Sequence, residues 1–199
     1  MAKGFGIVRR GQPLPIKKKG SGLVLQGNYT VWDDLSIALT TTAQGALNKP
    51  EYDYTNMGLL FPTNDATEIA YCMVQMQHNK MLGTAIRPHI HYVQSGAAQP
   101  TFKMDYKFYN NNSAVPAGFT TLSTADGDKG IFTYDSGNLL QIAAFPEIAA
   151  PTSETVSAHF EFKLYREDTE TGDFLAKYID IHYLIDSFGS AGEYDKWTE

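Results

Sequence analysis

Between Thr101 and Tyr109 apolar and polar residues alternate without a break: Phe102, Met104, Tyr106 and Phe108 against Lys103, Asp105 and Lys107. A period of two fits only a strand with one face buried and the other wet. The same texture recurs. Val156 to Leu164 sets Ala158, Phe160 and Phe162 against His159, Glu161 and Lys163. Leu175 to Ile185 puts Leu175, Lys177, Ile179, Ile181, Tyr183 and Ile185 on one face, and Tyr178, Asp180, His182 and Leu184 on the other. Pro88 to Gln94 splits into Ile90, Tyr92 and Gln94 against His89, His91 and Val93. Gly58–Phe61, Glu68–Met76 and Leu139–Phe145 read as further strands, and Val31–Ile37 as a short strand or a turn that plugs Trp32 and Leu35 into the core.

No stretch carries helical periodicity for more than a turn or two. The 17 glycines and 9 prolines are spread along the chain and break any such run. The expected fold is therefore all-β, an antiparallel sandwich or jelly roll, formed by residues 31–199. Residues 1–30 read as an extended arm, because six glycines with Pro13 and Pro15 deny them a helix. Residues 40–56 read as a long polar loop, Asn110–Ser113 and Thr169–Gly172 as turns, and 187–197 as a short helix or an extended tail.

Charge divides the chain at the same place. Lys3, Arg9, Arg10, Lys17, Lys18 and Lys19 all precede residue 20, whereas the first acid is Asp33. The remaining ten basic residues face all 22 acids, so a +6 arm joins a −12 body. A pI near 5.3 argues against nucleic-acid binding by the body. Such an arm suits docking on the acidic surface of a partner or of a neighbouring copy, and those six residues are the expected docking set; a solvated tail is the plain alternative. The sequence has no apolar run long enough for a bilayer and no secretory h-region after Met1. Synthesis in a cytoplasm is therefore expected. A single cysteine, Cys72, reads as a small core residue.

Chemistry is suggested by histidine alone. In Gly83-Thr84-Ala85-Ile86-Arg87-Pro88-His89-Ile90-His91 two histidines two residues apart point to one side of a strand and can grip one metal ion. The spacing matches the opening of the cupin metal motif. The later glutamate of that motif is replaced by Ser95 and Gly96, and the second half, around Pro116-Ala117-Gly118, holds no histidine. His78, His159 or His182 could complete a site with His89 and His91, but histidines on a sheet also hydrogen-bond without metal, and that structural reading has the greater weight. Adjacent acids such as Asp33-Asp34 diverge, Gly20-Ser21-Gly22 lacks the partners of a phosphate loop, and no catalytic residue or cofactor is expected.

Trp32-Asp33-Asp34-Leu35, then Gln75-Met76-Gln77-His78 through Gly83 to Arg87-Pro88-His89-Ile90-His91-Tyr92, and finally Asp180-Ile181-His182-Tyr183 with Asp186, Gly189, Ser190 and Glu193, form an ordered series. In that order and spacing, from about residue 31 to the end, the chain resembles virion structural proteins of tailed bacteriophages. Gln77 departs from the pattern, which has proline before the first histidine. The resemblance implies a β-sandwich subunit of a phage particle, in head decoration, neck or tail. It would associate with other virion proteins and with itself, as a homotrimer, and would not be an enzyme. Two rivals are a host-surface adhesin using loops 40–56 or 110–117, and a cupin-like metalloenzyme built on His89 and His91.

Overall fold

The computed structural model describes residues 16–19, 22–25, 31–41, 49–62, 67–95, 100–127, 140–167 and 172–188. Among the described residues there are twelve strands: β1 (Ile16–Lys19), β2 (Gly22–Leu25), β3 (Val31–Ile37), β4 (Glu51–Asp53), β5 (Gly58–Phe61), β6 (Ala70–Gln75), β7 (Ile86–Gln94), β8 (Phe102–Tyr109), β9 (Thr120–Ser123), β10 (Gln141–Ala144), β11 (His159–Arg166) and β12 (Phe174–Ile185). Every pairing is antiparallel. The all-β antiparallel sandwich read from the alternation is the fold observed. Among the described residues no helix is long and apolar enough to cross a membrane.

The larger sheet runs β10-β7-β12-β5-β4, with β3 also paired to β12; the smaller runs β6-β11-β8-β9. Strand β12 is the spine. One of its edges pairs with β7, and the other is shared by β5 at Phe174–Ala176 and by β3 at Ile179–Ile185. The inward rows of the two sheets share one core, in which Phe102 of the smaller sheet meets Phe61, Tyr92 and Phe174 of the larger at centroid distances of 6.0, 5.8 and 6.2 Å. Each such ring removes enough apolar surface to contribute roughly 1.5–3 kcal/mol, and the near-perpendicular planes of Phe61 and Phe102 suit the ring quadrupole.

Three details depart from the alternation. The register of β12 on β7 shifts between Ala176 and Tyr178, so Lys177 is a bulge residue. Phe174 and Ala176 thus face the core with Ile179, Ile181 and Tyr183, whereas an unbroken period would have sent Leu175 and Lys177 there. The Lys177 ammonium instead donates to the Asn56 carbonyl. Trp32 and Leu35 do not share a face, because three positions along a strand reverse it. Leu35 packs on the core, and Trp32, 48% exposed, lies outward under the Arg87 guanidinium at 4.8 Å. The loop expected at 40–56 contains β4 and a bridge from Thr40 to Tyr71.

Within the expected arm, β1 and β2 pair into a two-stranded sheet, and Lys17, Lys18 and Lys19 lie on β1. Lys3, Arg9 and Arg10 lie outside the described residues, as does most of the expected 187–197 segment.

Two buried cations tie loops to the sandwich. Lys80, 1% exposed, donates from Nζ to Glu154 Oε2 and to the Thr84 carbonyl, each at 2.7 Å. Glu154 Oε2 also accepts from the Gly83 amide at 2.7 Å. Arg166, fully buried, donates to the Gly172 carbonyl at 2.8 Å and lies 4.2 Å over the Phe174 ring. Neither contact set is visible in a periodicity.

Candidate functional site

The outward face of the larger sheet carries three rows of polar residues, set by register. Asp34 of β3, His182 of β12 and Arg87 of β7 form one row; Ser36, Asp180 and His89 form the next; Tyr178 and His91 form the third. Ile142 and Ala144 of β10 lie beside His91 and His89. Because alternation places Ile90, Ile179 and Ile181 in the core, it forces the intervening histidines and aspartate to the other side.

The side chains converge. His89 Nε2 and His91 Nε2 stand 3.1 Å apart, and Asp180 Oδ2 is 3.6 Å from the first and 3.8 Å from the second. All three residues are at least nine-tenths buried. Ser36 Oγ donates to Asp180 Oδ1 at 3.2 Å, the His91 ring stacks on Tyr178 at 4.3 Å, and the His182 ring meets His89 edge-on at 4.5 Å. His182 Nε2 pairs with Asp34 Oδ1 at 3.0 Å toward the exposed rim. Asp180 thus belongs to two ligand-like groups, one with His89 and His91 and one with Asp34 and His182.

Burial sets the protonation. It pushes the His89 imidazole down to about 4, helped by the charges of His182 and His91 and opposed by Asp180 and by a hydrogen bond with the Arg87 backbone. Burial also lowers His91, against the pull of Asp180. Both rings are therefore neutral near pH 7, the form with a lone pair to give. Among the described residues His91 Nδ1 is buried without a hydrogen-bond partner.

Of the five histidines singled out in the sequence, the fold gathers His89, His91 and His182. His159 lies on the smaller sheet, stacked on Tyr109 at 5.7 Å. His78 follows β6, where its Nε2 meets Ser157 Oγ at 2.8 Å. Asp180, Ser36 and Asp34 were not among the expected ligands. Their signal was present, since Asp180 and His182 alternate on one face of their strand, but only the β12–β7 pairing shows that this face adjoins the His89–His91 pair.

The Ser157–His78 pair was also missed. Gln75 Nε2 donates to Ser157 Oγ at 2.8 Å, and the same hydroxyl is hydrogen-bonded to His78 Nε2 at 2.8 Å. Ser157 has φ of +64°, a strained conformation outside glycine. At 3% exposure its hydroxyl is shut from solvent, so the trio works as a latch between β6 and the turn before β11.

No family model matches the chain, and no curated protein matches it. Among solved structures it is similar to the enzymatically active domain of tailspike protein 4 of bacteriophage CBA120, at 11% identity and a TM-score of 0.32, covering 80% of this chain and 19% of that one. The chain thus spans about a fifth of the length of that neighbour. That neighbour is named as an enzymatically active domain, against the expectation that the chain is not an enzyme.

Proposed function

We propose that the chain is a structural subunit of a tailed-bacteriophage particle that associates with copies of itself and with other virion proteins. The observation that carries this reading is where the resemblance residues fall. Trp32-Asp33-Asp34, Arg87-Pro88-His89-Ile90-His91 and Asp180-Ile181-His182 are separated by up to about 150 positions, yet they lie on three adjacent strands in register. Their alternate members, Asp34, Arg87, His89, His91, Asp180 and His182, share the outward face and form one piece of surface, and a shared surface is what a family of assembly subunits would hold in common.

Charge supplies the association. A +6 segment before residue 20 on a −12 body favours contact between the first residues of one copy and the acidic body of the next. The chain would form a homotrimer in solution and be found in the virion, with Lys3, Arg9, Arg10, Lys17, Lys18 and Lys19 as its docking residues. Light scattering on the full chain at low salt is expected to give three times the 22.1 kDa chain mass, and Lys17→Glu/Lys18→Glu/Lys19→Glu to shift it to monomer. A wild-type monomer at high concentration would count against self-association. Mass spectrometry of purified particles of the encoding phage tests the location, and its absence from them would overturn it.

A second reading, a host-surface adhesin, is favoured by one observation. Tyr52, Tyr54 and Met57 are all exposed around the β4–β5 turn, Tyr54 at 84%, and the Tyr52 and Tyr54 rings pack edge-on at 4.9 Å. Such rings suit stacking on sugars. Glycan binding lost on Tyr54→Ala would favour it.

A further inference from the structure

The geometry points to a transition-metal site on the larger sheet, in which His89 Nε2, His91 Nε2 and Asp180 Oδ2 bind one borderline divalent cation such as Zn²⁺ or Ni²⁺. This goes beyond the virion reading and stands or falls without it.

Spacing is the first support. Two imidazole nitrogens on one tetrahedral zinc, each bonded at about 2.0–2.1 Å, stand about 3.3 Å apart. The two Nε2 atoms here are 3.1 Å apart and come from adjacent outward positions of one strand. Asp180 sits directly opposite His89 in the β12–β7 register, so the third donor arrives without a loop. The carboxylate oxygen at 3.6 and 3.8 Å completes a triangle with a hollow small enough for one ion. Two histidines and one carboxylate are a donor set that transition dications take while keeping positions open for water or substrate.

Unmet polarity is the second. Asp180 is 8% exposed, and among the described residues its hydrogen-bond donor is a single serine hydroxyl. The two ring nitrogens lie beyond hydrogen-bond length from its Oδ2. A buried carboxylate so thinly satisfied is costly unless it is paired or coordinates a metal. A proton held between His89 and His91 would join those rings but would leave the carboxylate as it is. A dication satisfies all three at once.

The surroundings act as positioning groups. Ser36 Oγ fixes Asp180 through the oxygen that does not face the histidines. The Tyr178 ring holds His91 in plane, and the Arg87 backbone holds His89. Outer-shell hydrogen bonds of this kind tune metal affinity by about 10–100-fold. His182 and Asp34, paired at the rim, lie next to the open side and share Asp180 with the buried group.

The test uses the full chain, stripped with chelator and titrated calorimetrically with Zn²⁺, Ni²⁺ and Ca²⁺. About one equivalent of Zn²⁺ or Ni²⁺ per chain is expected, with no binding of Ca²⁺, which wants six or more oxygens. His91→Ala and Asp180→Asn should each weaken Zn²⁺ by at least about tenfold, and Ser36→Ala by about tenfold, whereas His78→Ala and His159→Ala leave it unchanged. Because ligand variants can unfold, ring-nitrogen NMR on the wild type gives an independent reading. Zn²⁺ should move the Nε2 signals of His89 and His91. A wild type that takes up neither Zn²⁺ nor Ni²⁺, equal affinity in a folded His91→Ala variant, or shifts confined to His78 and His159 would each overturn the site.

Discussion

Lys80 Nζ and Glu154 Oε2 meet at 2.7 Å with both side chains at 1% exposure or less, 74 residues apart in sequence. The pair joins the loop leading into β7 to the loop leading into β11. Among the described residues Glu154 Oε1 is buried without a hydrogen-bond partner, so the pair is not fully compensated there. Removing one charge leaves the other buried without its counter-charge, at a cost of about 3–5 kcal/mol, while replacing both by apolar residues is far milder. Lys80→Met is expected to lose about that much in urea unfolding, and Lys80→Met/Glu154→Leu to recover most of it. A neutral single variant would show that the pair carries no such weight.

Gly58 opens β5 against the bulged stretch of β12. A Cβ there would lie 2.7 Å from the Ala176 carbonyl oxygen and 2.9 Å from Leu175 Cγ. The leucine can swing away, but the backbone oxygen cannot. Gly58→Ala should therefore destabilise by about 1–3 kcal/mol as an overpacking change, read as a lower urea midpoint with an unchanged slope. An unchanged midpoint would mean that the β5–β12 spacing is looser than this geometry.

Alternation made β8 and β11 legible because β11 buries one face along its whole length and β8 buries Phe102 and Met104, with Tyr106 and Phe108 packed partly buried on the same core; Phe160, Phe162 and Leu164 likewise lie where that period puts them. It failed where the period itself breaks. The extra residue at Lys177 inverts parity, and no residue type there announces a bulge. It also failed at Trp32, because a large ring predicts burial only when there is a layer to bury it, and β3 presents that position to solvent beneath Arg87. For the site, the His-x-His spacing was readable, and so was the shared face of Asp180 and His182. That the two faces adjoin depends on which strands pair, a long-range property that local pattern does not carry. The Lys80–Glu154 and Ser157–His78 contacts arise between loops, where no period exists to be read.

Neutral His89 ties stability to pH. Its ring titrates near 4 in the folded chain, against about 6.5 when unfolded. The unfolded state therefore binds more protons between those values, and stability falls as pH drops from about 6.5 toward about 4. His91, lowered in the same direction, adds to the slope, while Asp180 across the sheet moderates it. The loss attributable to His89 is on the order of 3 kcal/mol at most. Urea unfolding in chelator at pH 7.5, 6 and 5 should show wild type losing more than His89→Asn. Parallel losses in the two would remove His89 as the cause.

Cys72 pairs with Phe162 on the inward side of β6 and is partly buried against the core. Burial pushes its thiol up to about 11, opposed by a hydrogen bond with the Met73 backbone. The thiolate is the nucleophile, and an ordinary thiol titrates near 8.5, so at pH 8 the reactive fraction here is about two orders of magnitude smaller. Iodoacetamide should label the native chain about a hundredfold more slowly than the urea-unfolded chain, with the difference narrowing as pH rises toward 11. Labelling as fast in the native chain as in the unfolded one would mean that the β6 edge opens readily. The Thr40–Tyr71 backbone bridge, with bonds of 3.1 and 2.8 Å, is the contact whose loss would permit it. Thr40→Pro removes one of those two bonds, and it should speed labelling without changing the chemistry of the thiol.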